Sequence, residues 1–224
     1  MSDKGKSMVM AAFVGDALAL GVHWIYETEK ILNNFGRVDT YLKPGPDSYH
    51  PTKGKGDFTH YGDQSFVLLE SIAAKKKFDL YDFSDRWRAL FDDYTGYVDQ
   101  ATRATLADYA AGKTAETAGS TSDDLAGASR LAPVVYVDRQ DSVKLEKDAR
   151  AQTAMTHKDH LTVDGAAFFA LVAQLVLMGT PPIEAVKRLT KERFNDTALS
   201  KWVSLGLASK AEESVSVIVN FGQT

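Results

Sequence analysis

The chain contains no cysteine in its 224 residues. This excludes a disulfide framework, a thiolate metal site and a cysteine nucleophile, and it fits a reducing, cytoplasmic setting. Positive charge is not in excess either: 26 lysines and arginines face 30 aspartates and glutamates, for a formal net charge of -4. Nucleic acid and acidic membranes are recognised through clustered positive charge, so neither is expected as a partner. The one basic run, 75–77, reads as a solvated helix end. Long apolar runs are few. The stretch 166–178 is too short to span a bilayer and contains Gln174, so it reads as a buried core helix. The N-terminus imitates a secretory signal, with Lys4 and Lys6 ahead of an apolar run, but Asp3 and Asp16 argue against one. Strand patterning is confined to 214–221, where Val215, Val217, Val219 and Phe221 fit a strand or a helix end equally.

What is present is helical spacing. Residues 65–74 place Phe66, Leu69 and Ile72 on one face, and 82–94 repeat the pattern through Phe83, Trp87, Leu90 and Phe91, with Asp82 as the expected N-cap. Further helices are expected at 97–111, stopped by Gly112, and at 124–136, 142–155, 163–178 and 197–208. Another opens at Thr180-Pro181-Pro182 and runs toward Phe194, because proline lacks the N–H that a first turn cannot use. No repeat period and no long polar linker interrupts this series, which predicts an all-α fold in one domain over 1–224.

The segment 8–24 is apolar on every side of a helical wheel, and such a helix belongs in a core. It nevertheless carries Asp16 at its middle and ends in His23-Trp24. A buried carboxylate must be paired, hydrogen-bonded or metal-bound. A structural carboxylate and a site residue meet that demand equally. His23 reads as a hydrogen-bonded core histidine or as an acid–base group. His157 follows the expected helix end at Met155, where a cation is favoured by the helix dipole.

Two stretches break the rhythm. Residues 33–61 hold Pro44, Pro46 and Pro51 and no sustained period, and irregular segments of this length tend to be lids or binding loops. His50 and His60 flank this apparent lid and read as loop residues. The second stretch, 112–124, is small and polar and feeds into a helix. The backbone at Gly119 and Ser120 can cradle a phosphate there, or the stretch is an ordinary connector.

Four motifs carry a resemblance. They are Gly15-Asp16-Ala17-Leu18; Tyr61-Gly62-Asp63-Gln64-Ser65; Gly119-Ser120 followed by Gly127-Ala128-Ser129-Arg130-Leu131-Ala132-Pro133; and Thr156-His157 ahead of the apolar helix. In this order, over nearly the whole chain, they make the sequence resemble the ADP-ribosylglycohydrolase family of the dinitrogenase-reductase-activating type, and within it the branch that includes the J1 crystallins. The resemblance implies a multi-helix orthogonal bundle that holds two Mg²⁺ ions and hydrolyses a glycosidic bond to ADP-ribose. It further implies Asp63 as metal ligand, Asp63 and His23 as catalytic residues, and Asp16, Gly119, Ser120, Gly127 and His157 as contacts to the ADP-ribosyl group. Mg²⁺ prefers hard oxygen ligands, which fits carboxylates in that role.

The departures from the family pattern are specific. Aligned on the family's TDDT motif, Tyr61, Gly62 and Gln64 replace three of its residues, and Asp63 is the one carboxylate left. His23 stands where many members carry an acid, and a neutral imidazole cannot replace a carboxylate oxygen toward Mg²⁺. The aspartate-rich motif of the family's C-terminal part does not occur before Thr224, so the chain reads either as a fragment or as a shortened homologue, in both cases lacking the C-terminal part of the family pattern and its helices. Two readings follow: a magnesium-dependent hydrolase acting on ADP-ribosylated protein or small molecules with a depleted metal site, or a non-catalytic member that binds nucleotide or serves a structural, crystallin-like role. A third, an unrelated helical domain, predicts no cleft beside Asp16 and Asp63. The sequence leaves the oligomeric state open.

Overall fold

The computed structural model describes residues 3–214, 216 and 217. Ten α-helices form its frame: α1 (Lys4–Ala19), α2 (Thr28–Phe35), α3 (His60–Lys75), α4 (Leu80–Leu90), α5 (Gln100–Ala110), α6 (Ala132–Asp138), α7 (Ser142–Ala154), α8 (His160–Leu177), α9 (Pro182–Arg193) and α10 (Ala198–Ala208). No strand occurs among the described residues, where the one extended pairing is an isolated bridge between Ser120 and His157. The strand or helix-end candidate at 214–221 lies largely outside them.

Helix starts follow side-chain chemistry. Asp3, Thr59, Asp79, Asp99, Asp141, Asp159 and Thr197 each accept a backbone N–H of the turn that follows, satisfying donors that a helix leaves open. Asp79, not Asp82, caps α4. Asp82 lies inside the first turn and accepts hydrogen bonds from Ser71 and Arg86. The helix expected at 124–136 divides into a 3-10 turn (Ala126–Arg130) and α6, with Pro133 in the first turn of α6, where no N–H is needed. Helix α2 was not expected: it is eight residues long, and its apolar residues Ile31, Leu32 and Phe35 run into the irregular stretch.

The core gathers Leu68, Phe83, Trp87, Leu131, Val134, Leu145, Met155, Phe168 and Leu171 from α3, α4, α6, α7 and α8. Helix α8 runs through it, packed against α7 on one side and α9 on another. Helix α1 corrects the expectation of all-round burial. It packs on α6 and α3 through Val9, Phe13 and Ala17, and leaves Met10 and Val14 exposed. By length and composition the segment Lys4–Val22 and α8 could each cross a membrane, α8 because it begins six residues before the expected apolar run. Between α1, α8 and α10 lies an apolar cavity of about 920 Å³, lined by Met8, Leu131, Val135, Phe168 and Trp202.

Candidate functional site

The four motifs meet around the start of α3. Thr59 caps this helix, and Asp16 reaches it from the last turns of α1. The carboxylate accepts the Thr59 N–H at 2.8 Å and the Thr59 hydroxyl at 2.6 Å. An anion at a helix N-terminus is favoured by the dipole. Burial nevertheless pushes the Asp16 carboxyl above its ordinary value, with the Thr59 hydrogen bonds opposing. Gly62 is part of this fit. A Cβ there would stand 2.2 Å from Asp16 Oδ2 and 2.7 Å from the Phe58 Cβ, so a family-type aspartate at this position has no room. A cavity lined by Asp16 measures about 40 Å³, space for a water and not for a nucleotide.

Asp63, one turn into α3, faces a cation that belongs to the protein. Its Oδ2 accepts from the Lys53 ammonium at 2.5 Å and from the Tyr94 hydroxyl at 2.5 Å. Both partners come from loops, Lys53 from the irregular stretch and Tyr94 from the α4–α5 connection.

Arg130 is the centre of the second half of the site. It is 2% exposed, and its guanidinium donates to Gln152 Oε1 at 2.8 Å, Gln64 Oε1 at 2.9 Å and Thr156 Oγ1 at 2.6 Å. The Trp87 indole N–H joins at Gln64 Oε1, 2.7 Å away, and Gln152 donates onward to the Gly127 carbonyl. Burial pulls the Arg130 pKa down to about 10, opposed by the charges of Asp99 and Asp124. Gln64, Arg130 and Thr156, from the second, third and fourth motifs, thus join one hydrogen-bonded network with Gln152 and Trp87 inside the core.

This saturation corrects the expected phosphate cradle. The Ser120 N–H donates to the Thr156 carbonyl at 2.9 Å, the Ser120 hydroxyl donates to the same carbonyl at 2.7 Å, and the Ser120 carbonyl accepts from the Lys158 N–H. Gly119 is required because a Cβ would stand 2.1 Å from the Ala154 carbonyl oxygen. Gly127 packs on His157, whose Nδ1 would lie 2.9 Å from an added Cβ. His157 is buried, with Nδ1 2.8 Å from Thr156 Oγ1 and Nε2 3.1 Å from Asp124 Oδ1. The His157 contact holds the Asp124 carboxyl well below the usual carboxylate range.

His23 ends the 3-10 turn (Leu20–Val22) that continues α1. Its Nδ1 lies 2.7 Å from His50 Nε2, and the His60 ring packs beside both. His50 and His60 are 0% and 1% exposed, so neither is a free loop residue: His60 opens α3, and His50 pins the irregular stretch to the end of α1. That stretch is a strap fastened by His50, Lys53 and Thr59, not a detached lid. Burial lowers the pKa of His23 to about 3 and of His50 to about 4, reinforced by the neighbouring histidines. An imidazole so poised is a weak base at neutral pH, which removes the advantage expected of His23 in acid–base work.

Magnesium chemistry can be tested against these donors. The ion takes about six oxygen ligands. Of the candidate carboxylates, Asp16 is held by Thr59, Asp63 is neutralised by Lys53, and position 62 has no space for another. The residues present do not fit a magnesium centre at Asp63. Sequence reasoning missed the roles of Lys53, Tyr94, Thr59 and His50, which enter from loops without a periodic signal, and of His60 at the first position of α3.

The chain belongs to the ADP-ribosylglycohydrolase family, whose model matches residues 1–221. It is 27% identical over 110 residues to crystallin J1A of Tripedalia cystophora, covering 46% of this chain and 33% of that protein, and 27% identical over 108 residues to crystallin J1B of the same animal, covering 47% and 33%. An uncharacterized protein of Archaeoglobus fulgidus is 26% identical over 172 residues, 76% of this chain and 55% of its own length. A solved structure, an ADP-ribosylglycohydrolase-related protein complex, superposes with a TM-score of 0.72 at 26% identity over 90% of this chain and 66% of that one. The chain therefore spans between a third and two thirds of the length of these relatives. The match rules out the reading as an unrelated helical domain.

Proposed function

We propose that this chain is a non-hydrolytic, crystallin-like member of the family, in which the motif residues have become the polar core of a stable helical body. The observation that carries this reading is the Lys53–Asp63 pair: the single carboxylate left in the second motif already faces a cation. Catalysis by a metal centre depends on charge aimed at the reacting bond, and a lysine bound to the carboxylate spends that charge internally. A cytoplasmic setting fits the absence of cysteine. The test is release of ADP-ribose from ADP-ribosylated protein and from small-molecule ADP-ribosides with added Mg²⁺. We expect no release above the uncatalysed rate, and Mg²⁺ should neither bind in calorimetry nor raise Tm.

The hydrolase reading, with ADP-ribose or an ADP-ribosylated acceptor as partner, is favoured by a family match that runs through residues 1–221. Mg²⁺-dependent turnover that is lost in Asp63→Asn would establish it and overturn the first.

A further inference from the structure

The three histidines near the end of α1 have a feature that the family motifs do not explain. One nitrogen from each of His23, His50 and His60 lies within 4.8 Å of the others. Buried polar atoms are normally satisfied, yet His50 Nδ1 and His60 Nδ1 make no hydrogen bond, and His60 Nε2 has only the Asp99 carboxylate at 3.3 Å. Leaving such a group unsatisfied costs about 1–3 kcal/mol, so two in one place need a reason. Trp24, next to His23, holds a left-handed backbone, φ 64, which costs a non-glycine residue about 1–3 kcal/mol. Its ring is fixed between Tyr49 at 4.8 Å and Tyr97 at 5.0 Å, closing an aromatic wall over the imidazoles.

We propose that His23, His50 and His60 form a binding site for a divalent first-row transition metal of borderline softness, with Zn²⁺ as the best match. Three imidazoles suit Zn²⁺, whereas Mg²⁺ prefers oxygen. A metal ligand must be a neutral imidazole, so binding at this cluster is coupled to pH. Asp99 supplies the outer-shell partner that such sites use to orient a ring: its Oδ2 lies 3.3 Å from His60 Nε2, leaving His60 Nδ1 as the unpartnered lone pair. Its negative charge also offsets that of the ion. The nearest opposing cation, Lys53, is matched by Asp63.

Binding replaces the His23–His50 hydrogen bond. Two nitrogens bound tetrahedrally at about 2.0–2.1 Å from Zn²⁺ stand roughly 3.3 Å apart, so the 2.7 Å pair opens by about 0.6 Å. Three protein ligands leave a fourth position for water or another small ligand. Tyr49 and Tyr97 also line a neighbouring cavity of about 330 Å³ with Thr52 and Arg103.

The test is independent of the hydrolase question, because it reads binding and not turnover. Chelator-treated full chain is titrated separately with Zn²⁺, Co²⁺ and Mg²⁺. One saturable equivalent of Zn²⁺, the visible absorption of tetrahedral Co²⁺ and no Mg²⁺ binding are expected. Zn²⁺ affinity should weaken at least about tenfold in His50→Gln and stay unchanged in His160→Gln, whose ring is on an exposed position of α8. Absence of saturable Zn²⁺ binding, or binding that survives both His23→Gln and His50→Gln, overturns the proposal. If either variant fails to fold by circular dichroism, imidazole ¹⁵N shifts of the wild-type chain decide: Zn²⁺-dependent shifts in His23, His50 and His60 support it, and shifts confined to His157 or His160 overturn it.

Discussion

Asp16 separates a structural carboxylate from a catalytic one through a pair of substitutions. In Asp16→Ala, the Thr59 N–H and hydroxyl lose their acceptor while Thr59 stays 2% exposed. Hydrogen bonds to a charged group contribute about 1.5–3 kcal/mol each, and the favourable charge at the α3 N-terminus adds about 0.3–1 kcal/mol. Removal of a carboxylate that burial already disfavours offsets part of this, so a net loss of about 2–4 kcal/mol is expected. For a chain of this size that corresponds to a Tm drop of about 4–16 °C. In Asp16→Asn the amide oxygen accepts the Thr59 N–H and the amide nitrogen donates to the Thr59 hydroxyl oxygen, so the loss should stay within about 1 kcal/mol. A carboxyl with a raised folded-state pKa contributes stability that is complete below its unfolded value and is lost as pH rises through the raised value. The advantage of wild type over Asp16→Asn should therefore shrink as pH is raised from about 3.8 upward. Urea unfolding of the three proteins across that range measures all of this. If Asp16→Asn is as damaging as Asp16→Ala, the neutral hydrogen-bonding account is wrong, and the charge itself is what the fold or a ligand requires.

Other outcomes follow from the same contacts. Gly119→Ala places a methyl against the Ala154 carbonyl and should cost at least about 1–3 kcal/mol, whereas Gly15→Ala, in a helix with nothing within 4 Å of the new methyl, should stabilise by about 0.4–1 kcal/mol; paired thermal melts compare them. Lys53→Met leaves the half-buried Asp63 with Tyr94 alone and should cost about 1–3 kcal/mol, and Lys53→Met/Asp63→Asn should recover most of it; a double-mutant cycle giving no coupling would refute the pair's importance. His23 and His50 have folded pKa values below the ordinary 6.5, so their stabilising contribution is present above that value and is lost as pH falls through about 4 and about 3; His50→Gln should flatten this acid limb of a Tm-against-pH curve.

Much of the fold was legible in the chain. Helices α3 through α10 fall close to their expected positions, because each has a capping side chain, a proline start or an apolar stripe. The pattern failed where a short helix borders an irregular stretch, as in α2, and where a 3-10 turn and α6 share one apolar run. The candidate residues were also legible as residues. What they do was not, because a glycine-serine pair that can hold a phosphate and one that zips to Thr156 have the same letters. Asp63 was readable as a lone carboxylate, but its partner Lys53 lies in a loop without periodicity. The histidines show the same limit: His23, His50 and His60 are separated by 27 and 10 positions, with α2 in the first interval, and only folding puts them in one place.

By itself, then, the sequence determined that this is a helical body with four family motifs and a single carboxylate left in the second of them. Those properties are local, set by spacing, capping and residue type. The tertiary structure decided which donors face which acceptors. It gave Asp16 to Thr59, Asp63 to Lys53, Ser120 to Thr156 and Arg130 to two glutamines, and it left three imidazoles facing one another. The physical reason is that a buried polar group is satisfied by whatever the packing brings within about 3 Å, and that choice is written in no single segment of the chain.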